Sequence, residues 1–322
     1  MLRFYNLLTE KNNKGISKRR DEYLEQIFER KRKLGLSIGI IVPTLNVEST
    51  VGELLDMIKE YFMKKDLVLV DEVIVVDSGS IDNTKEEVIS RGFPFYRDID
   101  IGPKLSKENV VHGKGENMWR GLHVLKSDIV IFMDSDPIDP NPEMLWPLIY
   151  PLIIDDNIVF VKSVFNRLTN GDGNFVQTGG RVTEISVRPL LNIIFPELKY
   201  IIQPLNGNVA GWKDIFLSLE FPTGYGVETS LLIDIAMKYG VNRIAQVFCG
   251  VFYQQGNDLY NLAKMSFRCQ NVILKKAMQY GRLSFNKVSS KFYQPLFVNK
   301  CIEWSISDLE EIVRPPIIHF NK

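Results

Sequence analysis

The chain has 322 residues, of which 45% are apolar and 24% are charged, a composition typical of a folded globular protein rather than a disordered one. Lys and Arg together number 39, as do Asp and Glu, so no overall charge attracts nucleic acid or an anionic membrane. We therefore expect neither as a partner, and an anionic substrate must be held by local charges.

Cysteine usage and the N-terminal sequence indicate the compartment. Three widely spaced cysteines are typical of reduced thiols rather than of a disulfide framework. The first residues lack the apolar run and small-residue cleavage site of a secretion signal, and no apolar run approaches the roughly 20 residues of a membrane span. These features favour a cytoplasmic protein.

Residues 1–36 are predicted to form a charged N-terminal extension built on an amphipathic helix. Tyr23, Ile27 and Phe28 recur at helical spacing, and acidic residues interrupt the basic ones around them. The pattern favours a helix that faces solvent or another subunit over one that lies on a membrane.

From residue 38 onward, short apolar runs alternate with longer amphipathic ones. Strands are predicted at IGIIVPT, DEVIVVD, DIVIFM and NIVFVKSVFNR, and helices at residues 49–64, at residues 84–91 and after GKGE. Apolar strands separated by helices are typical of an α/β fold with a mostly parallel central sheet and helices on both faces. Ligands of such sheets bind at the carboxyl ends of the strands.

A pair of acidic residues follows the third predicted strand. Asp134 and Asp136 lie two residues apart after DIVIFM, so both carboxylates can face one ligand. Such a pair suits Mg²⁺ or Mn²⁺ bridging the phosphates of a nucleotide. Asp98 and Asp100 have the same spacing without an apolar strand before them, and we expect that pair to lie in a solvated loop.

Polar residues also end the first two predicted strands. Pro43 and Thr44 end the first, and Asp77 and Ser78 end the second, where their groups can contact a base or a ribose. For each loop a simple turn remains the alternative.

Three further segments indicate anion or sugar contacts. Lys114 lies between two glycines just before a helix, an arrangement that binds phosphate oxygens, although the glycine spacing is not that of a P-loop. Gly180, Arg181 and Thr183 lie together and suit a second anion, with a glycine turn and a surface arginine as the alternative. Glu228 begins a helix, so a structural role at the helix dipole stays open beside a functional one.

Nine motifs in order resemble those of the glucosyl-3-phosphoglycerate synthase family, which are retaining glycosyltransferases with a GT-A (Rossmann-like) fold. They are IVPTLN, VVDSGSIDNT, GKGENMWR, FMDSD, FVKSVFNR, TGGRVTE, QPLNGNVAG, TGYGVE and IAQVFCGV, and the resemblance covers residues 38–266. It implies transfer of glucose from UDP-glucose, or another NDP-glucose, to the 2-hydroxyl of D-3-phosphoglycerate, the first step toward the compatible solute glucosylglycerate. It further implies Mg²⁺ (or Mn²⁺ or Co²⁺) as cofactor. We also expect a homodimer.

The resemblance also assigns roles, to which the strand-end argument adds Asp77. The nucleotide-sugar side comprises Pro43, Thr44, Leu45, Glu48, Asp77, Ser78, Lys114, Asp134 and Tyr225. The catalytic residues are Glu228, Asp136 and Lys114, and the acceptor side comprises Gly180, Arg181, Thr183 and Asn257. The GT-A domain spans residues 37–274, with a nucleotide half at 37–136 and an acceptor half at 137–274. Residues 275–322 are expected to form a helical or tail segment used in dimerisation or as a lid.

Two positions depart from the family pattern. The family has a second glutamate where Val47 stands, although Glu48 remains. Its third metal ligand is a histidine, where an ungapped count places Gln254. We expect Asp136 and Gln254 to hold the metal, with Gln255, Asn257 or Asp258 as alternatives to Gln254, and the metal preference to be altered.

Three other readings stay open at this point. They are an inverting transferase in which Glu228 is the general base, a transferase that uses a mannosyl donor, and a non-catalytic module that binds nucleotide sugars.

Overall fold

The computed structural model describes residues 2–5, 7, 13–64, 68–103, 111–171, 174–176, 180–256, 258–284, 290–298 and 301–319. Within these ranges it describes the side chains except those of residues 13–19, 169–171, 174–176, 254, 255, 293–298 and 301–304.

The described residues form thirteen strands and nine α-helices. The strands are β1 (Arg3–Tyr5), β2 (Ile38–Thr44), β3 (Glu72–Asp77), β4 (Phe95–Arg97), β5 (Ile129–Phe132), β6 (Phe160–Gly171), β7 (Asn174–Val176), β8 (Val209–Trp212), β9 (Phe221–Pro222), β10 (Ile244–Gln255), β11 (Lys291–Val298), β12 (Cys301–Asp308) and β13 (Val313–Arg314). The helices are α1 (Asn13–Leu34), α2 (Val51–Phe62), α3 (Thr84–Ser90), α4 (Lys114–Val124), α5 (Trp146–Ile154), α6 (Arg188–Ile194), α7 (Lys213–Leu217), α8 (Val227–Tyr239) and α9 (Leu259–Gln279). None of these helices is long and apolar enough to span a membrane.

A mostly parallel sheet organises the chain, as the sequence predicts. Its order is β1-β10-β6-β8-β5-β2-β3-β4, with β7 paired to β6. Only β7 and β8 run antiparallel to their neighbours within the described sheet. Every residue of β2 and β5 is buried, which explains why these strands are continuous apolar runs rather than alternating ones.

Two hydrophobic cores lie on opposite faces of this sheet. Ile40 and Val42 point into one core, which α1, α2, α3 and α5 cover. Ile41 points into the other, which α4 and α6 to α9 cover. Because successive residues of a strand face opposite sides, one apolar run supplies both cores.

The N-terminal helix belongs to the first core. Ile27 of α1 is fully buried, and Tyr23 stacks on Trp146 of α5 with ring centroids 5.7 Å apart. The amphipathic helix predicted for residues 1–36 is therefore present, and its apolar side packs against the domain rather than facing solvent or another subunit. The strand β1 before it pairs with β10 at the edge of the sheet.

The prediction of a helical or tail segment at residues 275–322 is wrong for most of its length. After α9 ends at Gln279, β11 and β12 form an antiparallel hairpin and β13 pairs with β9. The sequences KFYQPLFV and CIEWSISD are rich in aromatic and β-branched residues, which favour strands.

Candidate active site

A cavity of about 480 Å³ lies at the carboxyl ends of β2, β3 and β5 and at the N-termini of α4 and α8. Its volume is in the range of small-molecule sites. Most of the predicted site residues line it: Pro43, Thr44, Leu45, Ser78, Lys114, Asp134, Asp136, Gly180, Arg181, Thr183, Tyr225 and Glu228. Gln254 lies on β10 with its side chain outside the described set, and Asn257 lies outside the described residues.

The centre of the cavity is a network of three charged side chains. The Lys114 Nζ atom lies 2.5 Å from Asp134 Oδ1 and 2.5 Å from Glu228 Oε1. Burial alone would lower the pKa of Lys114, but the charges of the two carboxylates outweigh it and raise this pKa well above its ordinary value. Burial would likewise raise the pKa of Asp134, and the Lys114 charge outweighs it and lowers that pKa. Lys114 is therefore held as a cation and Asp134 as an anion.

Two glycines allow this network to form. A Cβ atom at Gly113 would lie 2.5 Å from the Thr223 carbonyl oxygen, and one at Gly115 would overlap the Pro222 carbonyl. Only glycine lets the start of α4 approach this backbone so closely. The Glu116 amide then donates to the Thr223 carbonyl at 3.1 Å, so the GKGE and TGYGVE segments meet and Lys114 reaches the start of α8.

The carboxylate of Asp136 fits a divalent cation. It faces the cavity, where burial first and the Asp134 charge second raise its pKa. The charges of Lys114 and Arg167 act on this pKa in the opposite direction. A divalent cation would offset the repulsion between the two carboxylates.

The described residues contain no group of three or more His, Cys, Asp and Glu side chains that could hold a metal ion. The described site therefore suits a cation bound through Asp136 and completed by phosphate oxygens and water, as is common for Mg²⁺.

Several positively charged side chains also line the cavity. Arg181 and Thr183 line it as predicted, and Arg167 and Arg268 join them. Burial lowers the pKa of Arg167, although the nearby Asp134 and Asp136 charges oppose that effect. One guanidinium group can bind two oxygens of a carboxylate or a phosphate at once, so these arginines suit an acceptor with more than one negative charge.

The prediction that Asp77 contacts the nucleotide is not supported by its surroundings. Its carboxylate is buried and accepts four hydrogen bonds, from Thr44 Oγ1 at 3.0 Å, Ser80 Oγ at 2.5 Å, and the amides of Gly79 at 2.8 Å and Ser80 at 2.7 Å. Asp77 is not among the residues that line the cavity. It shapes the turn that carries Ser78, which was the alternative for this position.

Glu48 is also not among the residues that line the cavity. Its Oε2 atom accepts from the backbone amide and the side-chain amide of Asn83, each at 2.8 Å. The uridine-pocket role of Glu48 stays a prediction, whereas Val47, which replaces the family glutamate, lines the cavity.

The prediction of a solvated loop is wrong for Asp98, whereas Asp100 is exposed at the end of a single 3-10 turn. Asp98 is only 1% exposed, and its Oδ2 atom lies 2.7 Å from Nδ1 of His112, which lines the cavity. Burial raises the pKa of Asp98 although His112 opposes it. The short strand β4 precedes Asp98, and its three residues were too few to show as an apolar run.

Two cavity residues were missed although their motifs were noted. Asn117 of α4 accepts from Ser78 Oγ at 2.8 Å and donates to the Val76 carbonyl at 2.8 Å, which fixes the loop after β3. Arg167 ends the motif FVKSVFNR and lines the cavity, a position that the motif alone does not indicate.

The C-terminal segment supplies a further wall of the cavity. Glu310 and Glu311 line it, and Glu311 accepts from the Gly226 amide at 3.2 Å. The Thr223 amide donates to the Ile312 carbonyl at 3.0 Å. No motif in this part of the sequence pointed to such contacts.

The sequence is similar to a known protein family and to a known relative. Residues 39–204 match glycosyl transferase family 2. The glucosyl-3-phosphoglycerate synthase of Petrotoga mobilis is 38% identical over 266 residues, which are 82% of this chain and 81% of the relative.

Crystal structures of glucosyl-3-phosphoglycerate synthase from Mycobacterium tuberculosis are also similar. One, in complex with Mn²⁺, UDP-glucose and phosphoglyceric acid, has a TM-score of 0.81 at 31% identity and covers 99% of both chains. Another, in complex with Mn²⁺, UDP and glucosyl-3-phosphoglycerate, has a TM-score of 0.82 at 31% identity and covers 100% of both chains.

Proposed function

The chain belongs to glycosyl transferase family 2 and, within it, to the glucosyl-3-phosphoglycerate synthases, and on that premise we propose that it transfers glucose from UDP-glucose to 3-phosphoglycerate. The bond between the anomeric carbon and the diphosphate breaks, and a bond from that carbon to the 2-hydroxyl oxygen of the acceptor forms. The hydroxyl proton leaves with the UDP product, so the reaction needs no further reactant.

One observation carries this proposal. A single cavity is lined by the Lys114, Asp134 and Glu228 network together with Asp136, and also by Arg181. The first group suits a nucleotide diphosphate and its cation, and the second suits the phosphate and carboxylate of an anionic acceptor. Two anionic substrates can therefore meet over one set of strand ends.

The charges fit the leaving of a diphosphate. Lys114 is fixed within the cavity, so its ammonium group is available where negative charge develops without moving into place. We assign Asp136 to hold a divalent cation, Mg²⁺ or Mn²⁺, which when bound would neutralise the departing phosphates. Gln254 remains a proposed additional ligand.

Glu228 is proposed to position the glucose. Its carboxylate is buried at the start of α8 and forms an ion pair with Lys114, so it can fix one wall of the sugar pocket without acting as a general base. A front-face reaction, in which an oxygen of the leaving diphosphate takes the hydroxyl proton, needs no such base. NMR of the product should show the α-linkage; a β-linkage would reject this route and restore the inverting alternative.

The test is a matrix of donors against acceptors. UDP-, GDP- and ADP-glucose and GDP-mannose are each combined with 3-phosphoglycerate or with glycerate, and released nucleotide and product mass are measured. We expect UDP-glucose with 3-phosphoglycerate to be the best pair. No transfer with any pair, despite UDP binding, would leave the non-catalytic alternative.

Arg181 provides a test of the acceptor side. The Arg181→Lys variant keeps the charge but loses the paired donors of the guanidinium, so we expect a higher KM for 3-phosphoglycerate with little change in KM for UDP-glucose. Equal effects on both constants would contradict an acceptor role.

Cellular role and assembly are finer proposals. We propose a cytoplasmic enzyme, because both substrates are cytoplasmic metabolites, whose product leads to the compatible solute glucosylglycerate. A homodimer is also proposed: within the described chain the β11–β12 hairpin pairs with no other strand, and an isolated hairpin gains stability by packing against a partner. Light scattering coupled to size exclusion would measure the oligomeric state directly.

A further inference from the structure

One pair of side chains in the cavity wall has no role in the reaction described above. His112 lies two residues before Lys114 and lines the cavity with its side chain 46% exposed. Its Nδ1 atom lies 2.7 Å from the Oδ2 atom of Asp98, whose side chain is 1% exposed. The buried carboxylate therefore fixes the orientation of a ring that the ligand can reach.

The carboxylate also fixes which ring nitrogen carries a proton. An ionised carboxylate only accepts hydrogen bonds, so Nδ1 must donate to Asp98. In the neutral ring Nε2 is then an acceptor, and it lies on the edge of the ring away from Asp98. The pair thus presents a hydrogen-bond acceptor in the cavity wall.

The strand order indicates which part of the donor this acceptor meets. Asp134 and Asp136 follow β5, and Asp98 follows β4, with the ends of β2 and β3 between them. Three strand spacings separate β5 from β4, which is about 14 Å. Thr44, Ser78 and His112 line the same cavity as Asp136. A diphosphate held at Asp136 would then have its nucleoside over the ends of β2 and β3 and its base toward the β4 edge.

We propose that His112, positioned by Asp98, recognises the nucleobase of the donor by accepting a hydrogen bond from N3–H of uracil at Nε2. Cytosine has an acceptor at N3, so the same contact would set two acceptors against each other and disfavour it. The assignment rests on the proposed function because it takes the ligand to be a nucleoside diphosphate. It goes beyond that function by naming the residue that selects the base.

The experiment measures binding rather than turnover. UDP and CDP are titrated calorimetrically into the full chain in the presence of Mn²⁺. Both nucleotides carry the same ribose and diphosphate, so the ratio of their dissociation constants isolates the base. The variants are His112→Ala, which removes the ring, and His112→Phe, which keeps a flat ring without nitrogen. His319→Ala is the control, because His319 is exposed and does not line the cavity.

We expect the wild type and His319→Ala to prefer UDP. In both His112 variants UDP affinity should fall about tenfold, the effect of one lost hydrogen bond in a partly buried site, while CDP affinity should not fall, so the preference shrinks by about tenfold. An unchanged ratio in both variants would overturn the proposal, as would an unchanged ratio in His112→Phe alone, which would show that the ring only stacks. Absence of glucosyl transfer would reject the proposed function without affecting this comparison.

Discussion

Replacing Glu116 tests whether a buried ion pair stabilises this protein more than an exposed one does. Its carboxylate is 1% exposed and binds Arg120 Nε at 2.6 Å and Arg314 Nε at 2.7 Å. Arg314 comes from β13, so this carboxylate fastens the C-terminal segment to α4, two residues after Lys114. Glu116→Ala would leave two buried guanidinium groups facing each other without the charge between them.

The expected size of the effect follows from burial and chain length. Removing one partner of a buried ion pair costs about 4 kcal/mol. An unfolding entropy of about 2.1 cal/mol/K per residue gives about 0.7 kcal/mol/K for a chain of this size. The quotient is a decrease in Tm of about 6 °C.

The matched control is Glu87→Ala. Glu87 and Arg91 have the same i,i+4 spacing and a similar distance of 2.6 Å, but both side chains are partly exposed. Such a pair contributes about 0.5 kcal/mol, which corresponds to a Tm change of about 1 °C. Thermal unfolding followed by circular dichroism measures both variants. Equal shifts in the two would refute the argument that burial makes Glu116 stabilising.

Three further substitutions test the site. Gly207→Ala places a Cβ atom against Lys114 Nζ and Asp134 Oδ1, so the end of the lysine must move, and we expect kcat/KM to fall at least about tenfold with little change in Tm. Asp136→Asn should lower Mn²⁺-supported UDP affinity to the value that the wild type shows in EDTA, measured by calorimetry; retained metal dependence would contradict its ligand role. Burial lowers the pKa of Lys162 to about 7 from 10.5, so between these values the unfolded chain binds more protons and stability rises with pH. Lys162→Met should show a smaller increase in Tm from pH 7 to pH 9 than the wild type, and an equal increase would disprove the shift.

The sheet could be predicted because its signal is local. Parallel strands covered on both faces must be apolar at every position, and IGIIV and VIVV satisfy that condition within a few residues. The hairpin after α9 was not predicted. Its strands lie beyond the last motif that the resemblance covers, and their pattern alone was not decisive.

The site could be predicted residue by residue but not as a network. Lys114, Asp134 and Glu228 were each selected from their own strand end or helix start. Their mutual ion pairs depend on how closely α4 and α8 approach, which the glycines at 113 and 115 permit but do not specify in the sequence.

Carboxylates at strand ends differ in what they bind, and the reason is physical. Asp77 and Asp134 both lie at the ends of buried strands. The carboxylate of Asp77 accepts hydrogen bonds from two backbone amides and a hydroxyl of the following turn, whereas the carboxylate of Asp134 binds Lys114. Whether a carboxylate serves a turn or a ligand depends on where the following backbone amides point. The spacing of residues in the sequence does not show in which direction those amides point.

The C-terminal segment shows how the glycine-rich loops of the site are held in place. Loops rich in glycine lose more conformational entropy on ordering than others, so the TGYG loop needs external contacts to keep Glu228 fixed. Glu311 and Ile312 supply them through the Gly226 and Thr223 amides, and Arg314 ties the same segment to Glu116 at the start of α4. The end of the chain therefore contacts both loops that carry Lys114 and Glu228, and it acts on the active site through the backbone rather than as a separate tail.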